Sequence, residues 1–156
     1  MDWERQFSYW MCVRCLVLVC FWFLPIAVLA GDVVVFGGTE RQKRFVSCVA
    51  EVAANELRSL PKSDQPMTFV ILDQQKFLQT RIAFHARKTR LAFSSLAIRR
   101  IYVSSRVFRD SDTALWCVPH ELGHFVAKSG FEGPAELAAE RIRRRTRQTC
   151  GPLFSS

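Results

Sequence analysis

Along most of the chain, apolar residues recur either at every second position or at helical spacing, and the change from one period to the other marks out the elements. Val33-Val34-Val35-Phe36 predicts a short strand, and Gly37-Gly38 predicts a turn after it. From Glu40 to about Leu60 the positions Phe45, Val46, Val49, Val52, Ala53 and Leu57 form one stripe of an amphipathic helix, which is a core face. A loop follows through Pro61, Ser63, Asp64 and Pro66, then a strand over Met67–Leu72, and Asp73 can cap a short helix running through Leu78. Two further strands are predicted over Leu91–Leu96 and Arg100–Ser105. In the second of these, Ile101 and Val103 face one side while Tyr102 and Ser104 face the other.

After these strands the period becomes helical. Asp110, Ser111 and Asp112 offer N-caps for a helix through Thr113–Val118 and on to Phe125-Val126-Ala127, and Pro119 either kinks that helix or delays its start to near Val118. Gly130 is a natural C-cap, and Gly133-Pro134 restarts a second helix with proline in its first turn. The expectation is an α+β domain with a small twisted sheet, one long helix and a second helix joined to it by a tight loop.

The one segment without either period is N-terminal. After Arg5 and Arg14 comes an uninterrupted apolar run, Cys15 to Ala30, ending in Val28-Leu29-Ala30 before Gly31-Asp32, the layout of a signal peptide cleaved after Ala30. Residues 1–30 are thus a leader and 31–156 a single domain. Read back to Tyr9, the same run is long enough to remain as a membrane anchor over residues 9–30. In both cases the domain is exported, to a periplasm or beyond the cell. Val19 before Cys20 excludes a lipoprotein cleavage motif.

Export changes the reading of the cysteines and of the charge. Cys12, Cys15 and Cys20 go with the leader, and Cys48, Cys117 and Cys150 remain where thiols oxidise, enough for one disulfide and one spare thiol. A bridge from Cys150 to Cys48 or to Cys117 would tie the C-terminus to the core, and sequence does not choose between them. The net charge of +8 is unchanged by leader removal, since the leader holds two acidic and two basic residues. It is concentrated in Arg141, Arg143, Arg144, Arg145 and Arg147, with Arg81, Arg87, Lys88, Arg90, Arg99 and Arg100 elsewhere. Such a surface is either simply solvated or attracted to an anionic membrane, envelope polymers or acidic substrates. Export argues against nucleic acid as the partner. Internal repeats, low-complexity tracts and phosphate-binding glycine loops are not found in the sequence.

The candidate chemistry lies in the long helix, at His120-Glu121-Leu122-Gly123-His124. Only three histidines occur in 156 residues, and two of them fall four apart around a glutamate. Residues four apart share a helix face, so both imidazoles can reach one tetrahedral metal ion while Glu121 points to its open position and acts as general base on a bound water. A third ligand must come from elsewhere. Position 130, six after His124, is glycine, which excludes a third histidine there, and an acidic ligand remains: Glu132, Glu136 and Glu140 all follow closely. Ala135, Ala138 and Ala139 beside Gly123 would let the two helix backbones approach closely enough for a glutamate to share the ion. Cys117 is a weaker candidate ligand, and His85 and Tyr102 are the other groups able to steady an oxyanion.

With His120-Glu121-Leu122-Gly123-His124 followed by Glu136-Leu137-Ala138-Ala139-Glu140, the chain resembles the gluzincin superfamily of zinc metallopeptidases. The likeness is to small members in which a glutamate on the next helix completes the site. The resemblance implies a minimal zincin-like domain with His120, His124 and Glu136 holding Zn2+, Glu140 placed to orient a ligating histidine, and Glu121 as the catalytic residue. It also implies a protein or peptide substrate held as an added strand along the sheet edge, for which Leu91-Ala92-Phe93-Ser94-Ser95 is the candidate. The resemblance covers about Leu91 to Arg147. Two departures stand out: Glu140 where the superfamily motif has Asp, and an interval from His124 to Glu136 shorter than most gluzincins show. Two other functions use the same residues: a basic envelope-binding protein whose metal site is structural or degenerate, and a metal hydrolase acting on a non-peptide amide.

Overall fold

The computed structural model describes residues 33–54, 66–86 and 91–154. The leader or anchor, the predicted helical continuation to Leu60 and the basic residues Arg87, Lys88 and Arg90 lie outside the described residues.

The strands are β1 (Val33–Gly37), β2 (Met67–Leu72), β3 (Ala92–Ser95) and β4 (Arg100–Ser104). The helices are α1 (Glu40–Val52), α2 (Gln74–Ala83), α3 (Ser111–Ala127) and α4 (Glu132–Cys150), with short 3-10 turns at Ser105–Arg109 and Gly151–Phe154. The domain is α+β with a mixed four-stranded sheet in the order β1-β2-β4-β3: β1, β2 and β4 run parallel, and β3 returns antiparallel along β4. β3 is an edge strand on the side of the sheet nearest α3.

Local chemistry accounts for where the elements begin. The glycines Gly37 and Gly38 take positive φ of 72° and 70°, and a Cβ on Gly37 would strike the Ile71 carbonyl oxygen. Thr39 then opens α1 with a reciprocal cap: its hydroxyl accepts from Gln42 N–H, and the Gln42 side chain accepts from Thr39 N–H at 2.9 Å. Asp73 caps α2 through the Lys76 amide at 2.9 Å, and this helix continues past the predicted Leu78 to Ala83. Among the three offered caps for α3, Asp110 is the one used, accepting from the Thr113 amide and hydroxyl. Pro119 lies inside a helix that runs from Ser111 to Ala127, so the helix does not start at Val118.

The period-2 pattern sets the core. Met67, Phe69 and Ile71 of β2 and Ile101 and Val103 of β4 face one side in register, where they are buried under α1, α3 and α4. Tyr102 and Phe93 face the other side, stack at 4.8 Å between ring centroids and pack with Phe77 of α2. Among the described residues the disulfide is Cys48–Cys150, which ties α1 to the end of α4, and the free thiol is Cys117, buried in the core. Burial, with the nearby Glu121 charge, pushes the Cys117 thiol up to about 11. It packs in the core and is not part of the group His120, His124 and Glu132 that converges among the described residues.

Candidate metal centre

α3 and α4 form the site, and small residues decide how near they come. A Cβ at Gly123 would run into the Ala135 carbonyl oxygen and stand 3.0 Å from the Ala139 Cβ, so only glycine permits this approach. On the α3 side of the contact, His120 and His124 present their rings at right angles, with centroids 5.1 Å apart.

Each histidine is gripped by its Nδ1. Glu136 Oε2 lies 2.9 Å from His120 Nδ1, and the Ser129 carbonyl oxygen lies 2.9 Å from His124 Nδ1. The end of α3 supplies the second grip. Lys128, and not the expected Gly130, terminates the helix in the left-handed region at φ 51°, so the Ser129 amide donates back to the His124 carbonyl at 3.1 Å. Ser129 thereby brackets His124 from both its N–H and its C=O. With the proton on each Nδ1, both Nε2 lone pairs are free and point into one space.

The carboxylate that meets them is Glu132, in the first turn of α4. Its Oε2 is 3.1 Å from His120 Nε2 and 3.8 Å from His124 Nε2. One ligand-capable atom from each of His120, His124 and Glu132 lies within 4.8 Å of the others, so the three could hold a metal ion. The 3.1 and 3.8 Å from the Glu132 oxygen to the two Nε2 atoms bracket the spacing of about 3.3 Å that ligand atoms have around tetrahedral zinc.

Glu136, the third ligand that the resemblance implies, is not brought to the Nε2 side. It stands one turn further along α4, beside the Nδ1 edge of His120, with its other oxygen accepting from Arg143 Nη2 at 2.9 Å. Burial would raise its pKa, but the bonds from His120 and Arg143 outweigh that and hold the carboxyl below the ordinary value. Glu140 touches neither histidine. It pairs with Arg143 at 2.8 Å and Arg144 at 3.0 Å, so the orienting role expected of Glu140 is filled by Glu136.

Glu121 is 6% exposed and faces a cleft of about 270 Å³ that it shares with His120, His124, Glu132 and the wall formed by Ser94, Ser95, Leu96, Phe93 and Phe84. Burial raises its pKa to about 7, against lowering by His120 and by the hydroxyl of Ser94 that donates to it, and with a further upward push from Glu132. β3 lines this cleft with an open edge. Ser104 N–H donates to Leu91 C=O at 2.8 Å, so in this register the peptide groups of Ala92 and Ser94 face away from β4, toward the side where no strand pairs among the described residues.

His85, at φ 54° in the turn after α2, and Tyr102, covered by Phe93 and Phe84, do not line the cleft. Trp116 and Arg143 are site residues that the sequence did not single out, and Ser94, expected as part of the substrate edge, also bonds Glu121. Trp116 carried a signal, since it precedes His120 by four and stacks on its ring at 5.0 Å and 9°. Arg143 was hidden within a run of surface-like arginines.

No protein-family model, curated protein or solved structure matches the chain, and its own residues carry the functional reading.

Proposed function

We propose that the protein is an exported zinc-dependent metallopeptidase of minimal zincin-like fold, with His120, His124 and Glu132 as ligands and Glu121 as general base. The observation that supports this most is the convergence of two Nε2 atoms, each freed by an acceptor on Nδ1, with a carboxylate beside a buried glutamate in an open cleft. Export rests on the pattern of residues 1–30 alone.

Zinc bound there would acidify a water ligand and polarise the scissile carbonyl. Glu121 takes the proton of the attacking water and then passes it to the leaving amine. The hydroxyl of Ser94 keeps that carboxylate in place. A peptide lying along β3 would exchange backbone hydrogen bonds with Ala92 and Ser94, with side chains against Phe84, Phe93 and Leu96. Attack is by water, with no covalent acyl-enzyme.

The test is metal content of the dialysed protein by elemental mass spectrometry, beside peptide turnover of wild type and Glu121→Gln. About one zinc per chain in both proteins, with turnover lower in the variant by about 100-fold or more, is expected. Turnover that survives in Glu121→Gln would sink Glu121 as the general base. Zinc without turnover in wild type would favour a basic envelope-binding protein with a structural metal.

A further inference from the structure

Among the arginines of α4, Arg143 is the one withdrawn from solvent against the site, its side chain 15% exposed. Its nitrogens have distinct surroundings: Nη2 donates to Glu136 at 2.9 Å, Nη1 donates to Glu140 at 2.8 Å, and Nε is buried with no hydrogen-bond partner among the described residues. Its guanidinium carbon stands 5.7 Å from the centroid of the Trp116 ring, whose own plane lies against His120. The other Glu136 oxygen takes His120 Nδ1. The four side chains close a circuit, from Arg143 through Glu136 to His120, and back through Trp116 to Arg143. A solvated ion pair on a helix surface would contribute little and would not leave a guanidinium nitrogen buried and unbonded. This arrangement grips His120 on one edge and one face.

We propose that Arg143 is a positioning residue of the metal centre: by holding Glu136 on the Nδ1 edge of His120 and bracing Trp116 on its face, it aims His120 Nε2 at the ion and leaves Glu132 as the carboxylate ligand. The inference rests on the metal reading above and adds the group that divides two nearby glutamates between ligand and orienting partner. Without Arg143, Glu136 loses the bond that fixes its second oxygen. His120 can then rotate or exchange its Nδ1–H tautomer for the Nε2–H form, which cannot bind metal through Nε2.

Zinc affinity measured by competition with a chromophoric chelator, on wild type, Arg143→Met, Arg143→Lys, Glu136→Ala and the Arg143→Met/Glu136→Ala pair, tests this. Arg143→Met should weaken zinc roughly 10- to 100-fold, and most of that loss should vanish in the Glu136→Ala background because Arg143 acts through Glu136. Arg143→Lys keeps the charge without the fork and should recover only part of the affinity. Undiminished affinity in Arg143→Met, or losses that simply add in the pair, overturns the proposal while leaving the metal reading intact. A wild type that takes up no zinc overturns the metal reading, and the positioning claim is then decided in the metal-free protein. There, imidazole nitrogen shifts at alkaline pH should report an Nδ1–H tautomer for His120 that shifts toward Nε2–H in Arg143→Met. An unchanged tautomer overturns it.

Discussion

Glu121 carries the largest penalty of the site, because a carboxyl buried to 6% exposure is costly to ionise, and its pKa rises from 4.5 to about 7. In the metal-free protein, between about pH 4.5 and 7, the folded state therefore retains a proton that the unfolded chain has released, and stability falls as pH rises through that window. A shift of this size amounts to about 3 kcal/mol in all. Urea denaturation in the presence of chelator should show that decline in wild type and a level profile in Glu121→Gln, with the variant the more stable protein at about pH 8. A level wild-type profile would mean that Glu121 ionises without cost. The neighbouring glutamates offer a second residue-scale test, since they differ by one helical turn and by which nitrogen of His120 they meet. Glu132→Ala should abolish tight zinc binding, whereas Glu136→Ala should weaken it by about 10- to 100-fold. The reverse order in a chelator competition would return the ligand role to Glu136.

Between α3 and α4 the same physics acts through backbone distance. Alanine is worth about 1 kcal/mol more than glycine inside a free helix, so Gly123→Ala would be stabilising if α3 stood alone. Against the Ala135 carbonyl it must instead push α4 away, and we expect a net loss of about 2 kcal/mol in urea denaturation together with weaker zinc binding, because α4 carries both Glu132 and Glu136. A Gly123→Ala protein more stable than wild type would show that the helices do not need this contact. The small residues that make it possible were legible in the sequence, as were the histidine face of α3, the β4 alternation and β3 as the lining edge. Those features follow from period and residue size, which are local. The identity of the glutamate facing both Nε2 atoms was not legible, because it depends on Lys128 taking a left-handed conformation and on Ser129 turning the chain so that α4 begins at Glu132. Spacing counted along the chain carries no record of that turn. Cys150 likewise faced two possible partners until the packing put Cys117 in the core and Cys48 opposite it.

At the scale of the molecule, α4 is held at both ends by chemistry of different kinds. At its C-terminal end the Cys48–Cys150 bridge closes a separation of 102 residues, and Arg41 donates to the carbonyls of Leu153 and Phe154 just beyond. At its N-terminal end Glu132 and Glu136 meet α3, and a bound ion would act there as a second cross-link. A loop of that length gives a disulfide contribution of about 4 to 5 kcal/mol on the chain-entropy account, a large share of the stability of a domain this small. Zinc at a hundred times its dissociation constant would add about 2.7 kcal/mol by mass action. The two links constrain the same helix, so loss of one leaves the fold more dependent on the other. Reduced protein, or a Cys48→Ser/Cys150→Ser pair, should unfold at markedly lower urea in chelator and recover a substantial part of that loss when zinc is supplied. Glu121→Gln should keep this recovery, since Glu121 is not among the proposed ligands, and Glu132→Ala should lose it. Equal recovery in the Glu132 variant would place the stabilising ion somewhere other than between these two helices.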